Sequence, residues 1–406
     1  MVISSNLTIP TAAYIHVPFC RRRCFYCDFA VFTLGDRLSG DNSGTVNQYL
    51  DYLLKEIAIA PKFGSSLSTV FIGGGTPSLL SVGQIARILQ ALDKHLGITK
   101  DAEISLEIDP GTFDKSKLQG YISLGINRFS MGVQAFQDNL LKLCGRSHTV
   151  SDIWDAVKLI NQVGIDNWSL DLISGLPTQT LQQWQYSLEK TVEIAPTHIS
   201  TYDLIVEPST VFARYYQPGT APLPDDTTTA AMYQLAQQIL TNNGYQHYEI
   251  SNYAQIGYQC QHNRTYWENR PYYGFGMGAA SYMHQQRFTR PRKTREYYQW
   301  VENLVLQKGA IDCPLVSLEE SLLDKIMLGL RLAEGINLTE IATEFGRDRV
   351  DAISSCLEPY IQQGWVSISV EPASNGECDR LRLTDPQGFL FSNTVLAQIF
   401  SQLETE

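Results

Sequence analysis

Residues 12–27 read Ala-Ala-Tyr-Ile-His-Val-Pro-Phe-Cys-Arg-Arg-Arg-Cys-Phe-Tyr-Cys. The first half, Ala12–Phe19, is an apolar, β-rich run, and a loop with three cysteines follows it directly. A strand that runs into a chemically distinctive loop and then into a helical pattern is the start of a βα unit. The helix that answers it is Val46–Ala60, with Leu50, Leu53, Leu54 and Ile57 on one face. The alternation then repeats. Strands are expected at Thr69–Ile72, Glu103–Ile108, Arg128–Val133, Trp168–Ile173 and His198–Val206. Helices are expected at Val82–Leu96, Lys115–Leu124, Asn139–Cys144, Ser151–Val163 and Leu181–Ile194. Gly64, Gly97, Gly125, Gly164 and Pro196 close most units, as chain punctuation requires.

Six consecutive βα units imply an α/β fold with a parallel sheet. A doubly wound sheet and a partial, TIM-like (β/α)6 barrel both satisfy the pattern, because strand order is not written in one sequence. The barrel is preferred on chemistry. Active sites in parallel folds lie at strand C-termini, and here those ends are unusual. They carry the cysteine loop, Gly73-Gly74-Gly75-Thr76-Pro77, Glu107, Gln134, Asp171 and Tyr202-Asp203. One mouth fed by all six strands accounts for them together.

The rest of the chain changes character twice. Residues 1–206 form the expected barrel core, and residues 207–300 an irregular, aromatic-rich extension that completes it. Residues 318–392 show three helical patterns and then two β-like runs, the order of a small winged-helix-like α+β domain. The chain has 406 residues, beyond the size at which one core keeps growing, so two domains are expected. Lys+Arg 31 against Asp+Glu 42 gives a formal charge of −11, which argues against a general nucleic-acid or anionic-membrane binder. No apolar run reaches the roughly 20 residues of a membrane helix. The first Arg is Arg21, so no secretory signal is expected, and a cytoplasmic setting follows.

Cys20, Cys24 and Cys27 crowd into one loop, while Cys144, Cys260, Cys313, Cys356 and Cys378 are scattered. In a reducing compartment a tight cysteine group reads as a metal or cluster site. Three thiolates can hold three irons of a [4Fe–4S] cluster and leave the fourth open to a ligand. Structural zinc with His16 as fourth ligand is the alternative, although the C-x3-C-x2-C spacing lacks the second pair of a zinc finger.

This loop, with Tyr14 before it and Gly73–Pro77 after it, resembles the radical S-adenosylmethionine (SAM) superfamily. Glu107-Ile108-Asp109-Pro110, Gly132-Val133-Gln134-Ala135-Phe136 and Asp171-Leu172-Ile173 narrow the resemblance to the oxygen-independent coproporphyrinogen III oxidases and their relatives. The resemblance implies a [4Fe–4S] cluster on Cys20, Cys24 and Cys27, a SAM molecule chelated at the open iron, and a low-potential electron donor. It also implies SAM contacts at Tyr14, Tyr26, Gly74, Gly75, Thr76, Glu107, Gln134, Arg146 and Asp171. Within this branch, the oxidases carry a further cysteine two positions after the third. Here Cys27 is followed by Asp28 and Phe29, which resembles the sister group of HemW-type haem chaperones.

His262-Asn263-Arg264-Thr265-Tyr266-Trp267 fits the HNxxYW signature of that group, so the resemblance implies haem as a further cofactor, with His262 as its ligand and acceptor haemoproteins as partners. Imidazole suits iron and aromatic rings suit a porphyrin face. Oxidase activity remains the alternative function. Arg287, Arg290, Arg292, Lys293 and Arg295 form a basic run that reads either as a solvated loop or as a clamp for porphyrin propionates. That run also admits a radical-SAM enzyme acting on RNA, which the net charge disfavours.

Overall fold

The computed structural model describes residues 9–35, 40–41, 43–373 and 376–404, so the first eight residues of the expected barrel core lie outside the described residues. Strands β1 (Ala12–Val17), β2 (Leu67–Gly74), β3 (Ile98–Ile108), β4 (Arg128–Gln134), β5 (Trp168–Ser174) and β6 (His198–Asp203) are all parallel neighbours in that order. A doubly wound sheet would reverse direction at a switch point. This one does not, so the winding is that of a partial barrel. β1 stops at Val17 before Pro18, which has no N–H for a ladder, and β6 stops three residues before the expected Val206.

Residues beyond 206 extend both edges of the sheet. β7 (Gln246–Glu249) and β8 (Asn252–Ala254) add antiparallel strands beside β6, and β9 (Tyr273–Phe275) pairs in parallel with β1. The helices α1 (Gly44–Ile59), α2 (Val82–Leu96), α3 (Lys115–Ser123), α4 (Asp138–Leu143), α5 (Val150–Val163) and α6 (Leu181–Ile194) lie between the six parallel strands in sequence. Local chemistry sets their starts. Ser81 and Gln84 form a capping box on α2, as do Thr149 and Asp152 on α5 and Thr180 and Gln183 on α6. Ile15, Val17, Val70, Ile72, Leu106, Leu170 and Leu172 are fully buried in one core with Leu50, Leu53, Ile57, Ile85, Ile88 and Leu92 of the helices. Each such side chain contributes roughly 1.5–3 kcal/mol by leaving water.

A second core holds Leu322, Ile326, Ile341, Ile353, Leu357, Leu381, Val395 and Ile399. Its elements are α10 (Leu318–Gly329), α11 (Leu338–Phe345) and α12 (Arg347–Gln362), then an antiparallel pair of strands, Val366–Ala373 and Gly376–Leu383. Three helices and a β-hairpin are the order of a winged helix. Its core runs past residue 392 into α14 (Ser392–Glu404), an addition the sequence pattern did not mark.

Candidate functional site

The C-terminal ends of the six strands surround a cavity of about 370 Å³. Cys20, Cys24, Cys27, Tyr26, Gly74, Gly75, Thr76, Glu107, Gln134, Arg146 and Asp171 all line it. One loop and five strand ends therefore meet where parallel strands place ligands.

The cysteine loop is fixed both from outside and from within. Phe25 donates its N–H to Cys144 O at 2.9 Å, Arg23 reaches Cys27 O at 3.2 Å, and Cys27 N–H reaches Cys24 O at 3.2 Å. Arg146 anchors its far wall, donating to Asp109 Oδ1 at 2.5 Å, to Gly132 O at 3.0 Å and to Cys24 Sγ at 3.5 Å. Burial pushes the Cys20 and Cys27 thiols up, and the Asp109 carboxylate adds to the effect on Cys20. A bound metal would reverse that, since its charge stabilises thiolate.

Two glycines explain the closeness of the walls. Gly74 has φ +118°, a region that disfavours any side chain, and donates its N–H to Glu107 Oε2 at 2.8 Å. A Cβ on Gly75 would lie 2.8 Å from Cys20 Sγ and 2.7 Å from Phe19 O. The loop can approach β2 only because that carbon is missing.

The residues fit a cluster with SAM. All three thiols are free, and among the described residues no three His, Cys, Asp or Glu side chains converge to hold a single ion. His16, the alternative zinc ligand, is turned away: its Nδ1 meets Tyr14 OH at 3.0 Å and its Nε2 meets Ala30 O at 2.9 Å. Gln134 has φ +66° at an irregular register on β4, and its buried Oε1 has no partner within the protein. Arg146 Nε is likewise without one. Strained backbone and unpaired buried polar atoms facing one cavity mark a ligand site. Glu107 is raised to about 8, first by burial and then by Asp171 and Asp109, with the Gly74 N–H opposing. A cationic group beside it would restore its charge.

Two expected site residues lie apart from the other residues of the set. The Tyr14 hydroxyl is hydrogen-bonded to His16 Nδ1 and its ring stacks near Phe71, with Glu107 of the cavity wall as a charged neighbour. His262 lies at the other end of the sheet. It sits on the short helix α8 (Gln261–Trp267), which packs on Thr69 at the start of β2. Its ring is buried, with Nδ1 on Thr69 Oγ1 at 2.9 Å, Nε2 on Tyr266 OH at 2.9 Å, and its face against Phe71. Burial, then Arg270, lowers its pKa to about 3. In this conformation both nitrogens are engaged and neither faces a ligand.

The other face of α8 meets the C-terminal domain, through Arg264 to Glu334 at 2.9 Å and Arg331 over the Trp267 ring at 4.5 Å. The motif thus joins barrel floor to second domain. His262→Ala is expected to destabilise the fold by about 2–4 kcal/mol, from a cavity and two lost hydrogen bonds. Denaturant unfolding checks this; an unchanged midpoint would refute it.

Four of the five residues of the basic run pair within the protein, as Arg287–Asp324 at 3.0 Å, the buried Arg290–Glu56 at 2.7 Å, Arg292–Asp28 at 3.0 Å and Lys293–Glu296 at 3.0 Å. Sequence reasoning missed Asp109, which orients Arg146 and accepts from Thr76 Oγ1 at 3.1 Å. Its place two residues after Glu107, at the same strand end, was the available signal. It also missed the rim, where Phe29, Val31, Ile173, Leu204 and Ile205 line the cavity. Phe29 and Ile205 are exposed.

The chain is similar to known proteins in sequence and in fold. The Radical SAM superfamily pattern matches residues 14–190, and the HemN C-terminal domain matches 316–371. A Synechocystis protein named heme chaperone HemW is 47% identical over 98% of both chains. The Escherichia coli heme chaperone HemW is 35% identical over 95% of this chain and 97% of its own. In fold, the chain is similar to the solved Escherichia coli coproporphyrinogen III oxidase HemN, with TM-score 0.78 and 23% identity over 96% of this chain and 90% of that one.

Proposed function

Because this chain belongs to the radical SAM superfamily and, within it, to the family of HemW haem chaperones, we propose that it binds haem and passes it to acceptor haemoproteins. A [4Fe–4S] cluster and SAM are held at the cysteine end of the sheet, and a low-potential donor reduces the cluster. The observation that carries this reading is Phe29. It stands where the related oxidases carry a further thiol, and its ring is 59% exposed on the cavity rim. It offers apolar surface to a flat ring instead of a reactive sulfur.

In this reading the residues divide the work by position. Cys20, Cys24 and Cys27 each hold one iron. Gly74 and Gly75 let the ligand approach the backbone, and Glu107 and Asp171 receive its cationic groups. Gln134, with its unpaired oxygen, accepts a donor from the ligand, while Tyr26, Thr76 and Arg146 bound the remaining walls. Bound together, cluster and SAM supply one-electron chemistry. This reading puts haem at the apolar rim; both ring nitrogens of His262 being hydrogen-bonded supports it. All eight cysteines are free thiols, which supports a reducing, cytoplasmic setting. Among the described residues no helix is long and apolar enough to cross a membrane.

Anaerobically reconstituted protein, titrated with haem and assayed in parallel with coproporphyrinogen III, tests the proposal. The expected result is a Soret band shifted from that of free haem, haem transfer to an apo-haemoprotein, and no sustained decarboxylation. His262→Ala is expected to bind haem as the native protein does. Turnover of coproporphyrinogen to protoporphyrinogen would instead make the protein an oxidase, and a protein that binds no haem in either redox state is not a chaperone.

A further inference from the structure

Behind the cavity wall a line of buried polar side chains crosses the inside of the sheet. Asp171 on β5 is its upper end. Ser130 donates to its Oδ2 at 2.9 Å and Ser169 to its Oδ1 at 3.0 Å. Ser169 Oγ also lies 2.8 Å from His198 Nδ1 on β6. His198 Nε2 lies 2.8 Å from Tyr248 OH on β7. That oxygen accepts the backbone N–H of Cys260 at 3.4 Å. Ser169, His198 and Tyr248 are all buried.

Hydrogen accounting fixes the direction of this line. A serine hydroxyl has one hydrogen, and Ser169 gives it to Asp171. Toward His198 it can only accept, so Nδ1 carries the ring proton. Burial, reinforced by the Arg128 guanidinium, holds the His198 pKa well below its ordinary value, so the ring is neutral and Nε2 is bare. Nε2 then accepts from Tyr248. Every hydrogen in the line points toward Asp171.

We propose that His198 is a positioning residue for SAM: its Nδ1–H holds the Ser169 hydrogen on Asp171, keeping that carboxylate ionised and facing the cavity for a cationic ligand. The inference rests on the reading of the cavity as a SAM site. The charged and titratable groups around Asp171 are Glu107 on β3, Arg128 on β4 and Tyr202 on β6. Glu103 and Cys260 lie beyond Arg128 at the opposite end. Glu107 opposes the charge on Asp171 and Arg128 supports it. The hydroxyl hydrogen bonds oppose the larger effect of burial, which raises Asp171. Losing one of them leaves Asp171 protonated to higher pH.

Equilibrium SAM binding by anaerobically reconstituted protein, from about pH 6 to 9, tests this with two variants. His198→Leu removes the donor. His198→Asn places an amide nitrogen at the same number of bonds from Cα as Nδ1, and so restores it. The expected result is that the leucine variant binds SAM about tenfold more weakly near pH 7. Its acid limb should move to higher pH, while the asparagine variant stays within about twofold of native. Nitrogen NMR of histidine-labelled protein without SAM is expected to show His198 protonated on Nδ1. An Nε2-protonated ring, an asparagine variant as weak as the leucine one, or a loss equal at every pH would overturn the proposal. If native protein binds no SAM, the cavity reading falls and this proposal with it; the NMR result then still shows whether the hydrogen-bonded line was read correctly.

Discussion

Cys24→Ala is expected to take up almost none of the roughly four irons and four sulfides per chain that the native protein acquires on anaerobic reconstitution. In the proposed arrangement each loop thiol holds a different iron, so losing one leaves an iron with no protein ligand. Among the residues lining the cavity no fourth cysteine can replace it. Cys144, close in sequence to Arg146, is buried in the hydrophobic core. Cys24 is only half-buried, so the fold should survive. Iron and sulfide analysis reads the result, with circular dichroism as the control for folding. Full cluster content in the variant, or stoichiometric zinc in the native protein, would sink the assignment.

Glu107→Gln is expected to weaken SAM binding by roughly two orders of magnitude, the scale of losing one partner from a buried charge pair. The pH dependence has a definite sign. With its pKa pushed to about 8 by burial, Glu107 in the empty protein is protonated below that value. Native affinity for the cationic ligand should therefore rise with pH toward 8 and level off above it, whereas the glutamine variant should lack that slope. Stability follows the same linkage in the opposite sense. Between the ordinary value of 4.5 and about 8 the folded protein holds a proton that the unfolded chain releases. The empty protein thus loses stability, on the order of a few kcal/mol, as pH rises through that window. SAM binding should offset the loss. Thermal unfolding at both ends of the window, with and without SAM, checks this; identical pH profiles for native and variant would refute the role of Glu107.

The sequence disclosed the cavity better than the fold around it. Cysteine spacing and residues at strand ends are local features, and Cys20, Cys24, Cys27, Gly75, Glu107, Gln134, Arg146 and Asp171 all meet at one mouth. Strand order is not local, and only the register of β1 against β2, and so on to β6, separates a partial barrel from a doubly wound sheet. Tyr14 and His262 have surroundings that were not legible, for a related reason. Alternation along a strand says which face a side chain takes, but not whether a neighbour has already claimed its polar atoms. His16 claims the Tyr14 hydroxyl, and Thr69 and Tyr266 claim the His262 ring. The basic run shows the same limit, because Glu56, the partner of Arg290, lies far away in sequence.

The pairing of β9 with β1 has a consequence for synthesis. Ala13, Tyr14 and Ile15 find their edge partners only in Tyr273, Gly274 and Phe275. A ribosome adding about 5–20 residues per second needs on the order of tens of seconds to make the intervening chain. Throughout that time the thiol loop is outside the tunnel, attached to a strand with one bare edge. A finished cluster site is therefore possible only once Phe275 has emerged, and until then the nascent thiols depend on the reducing power of their surroundings.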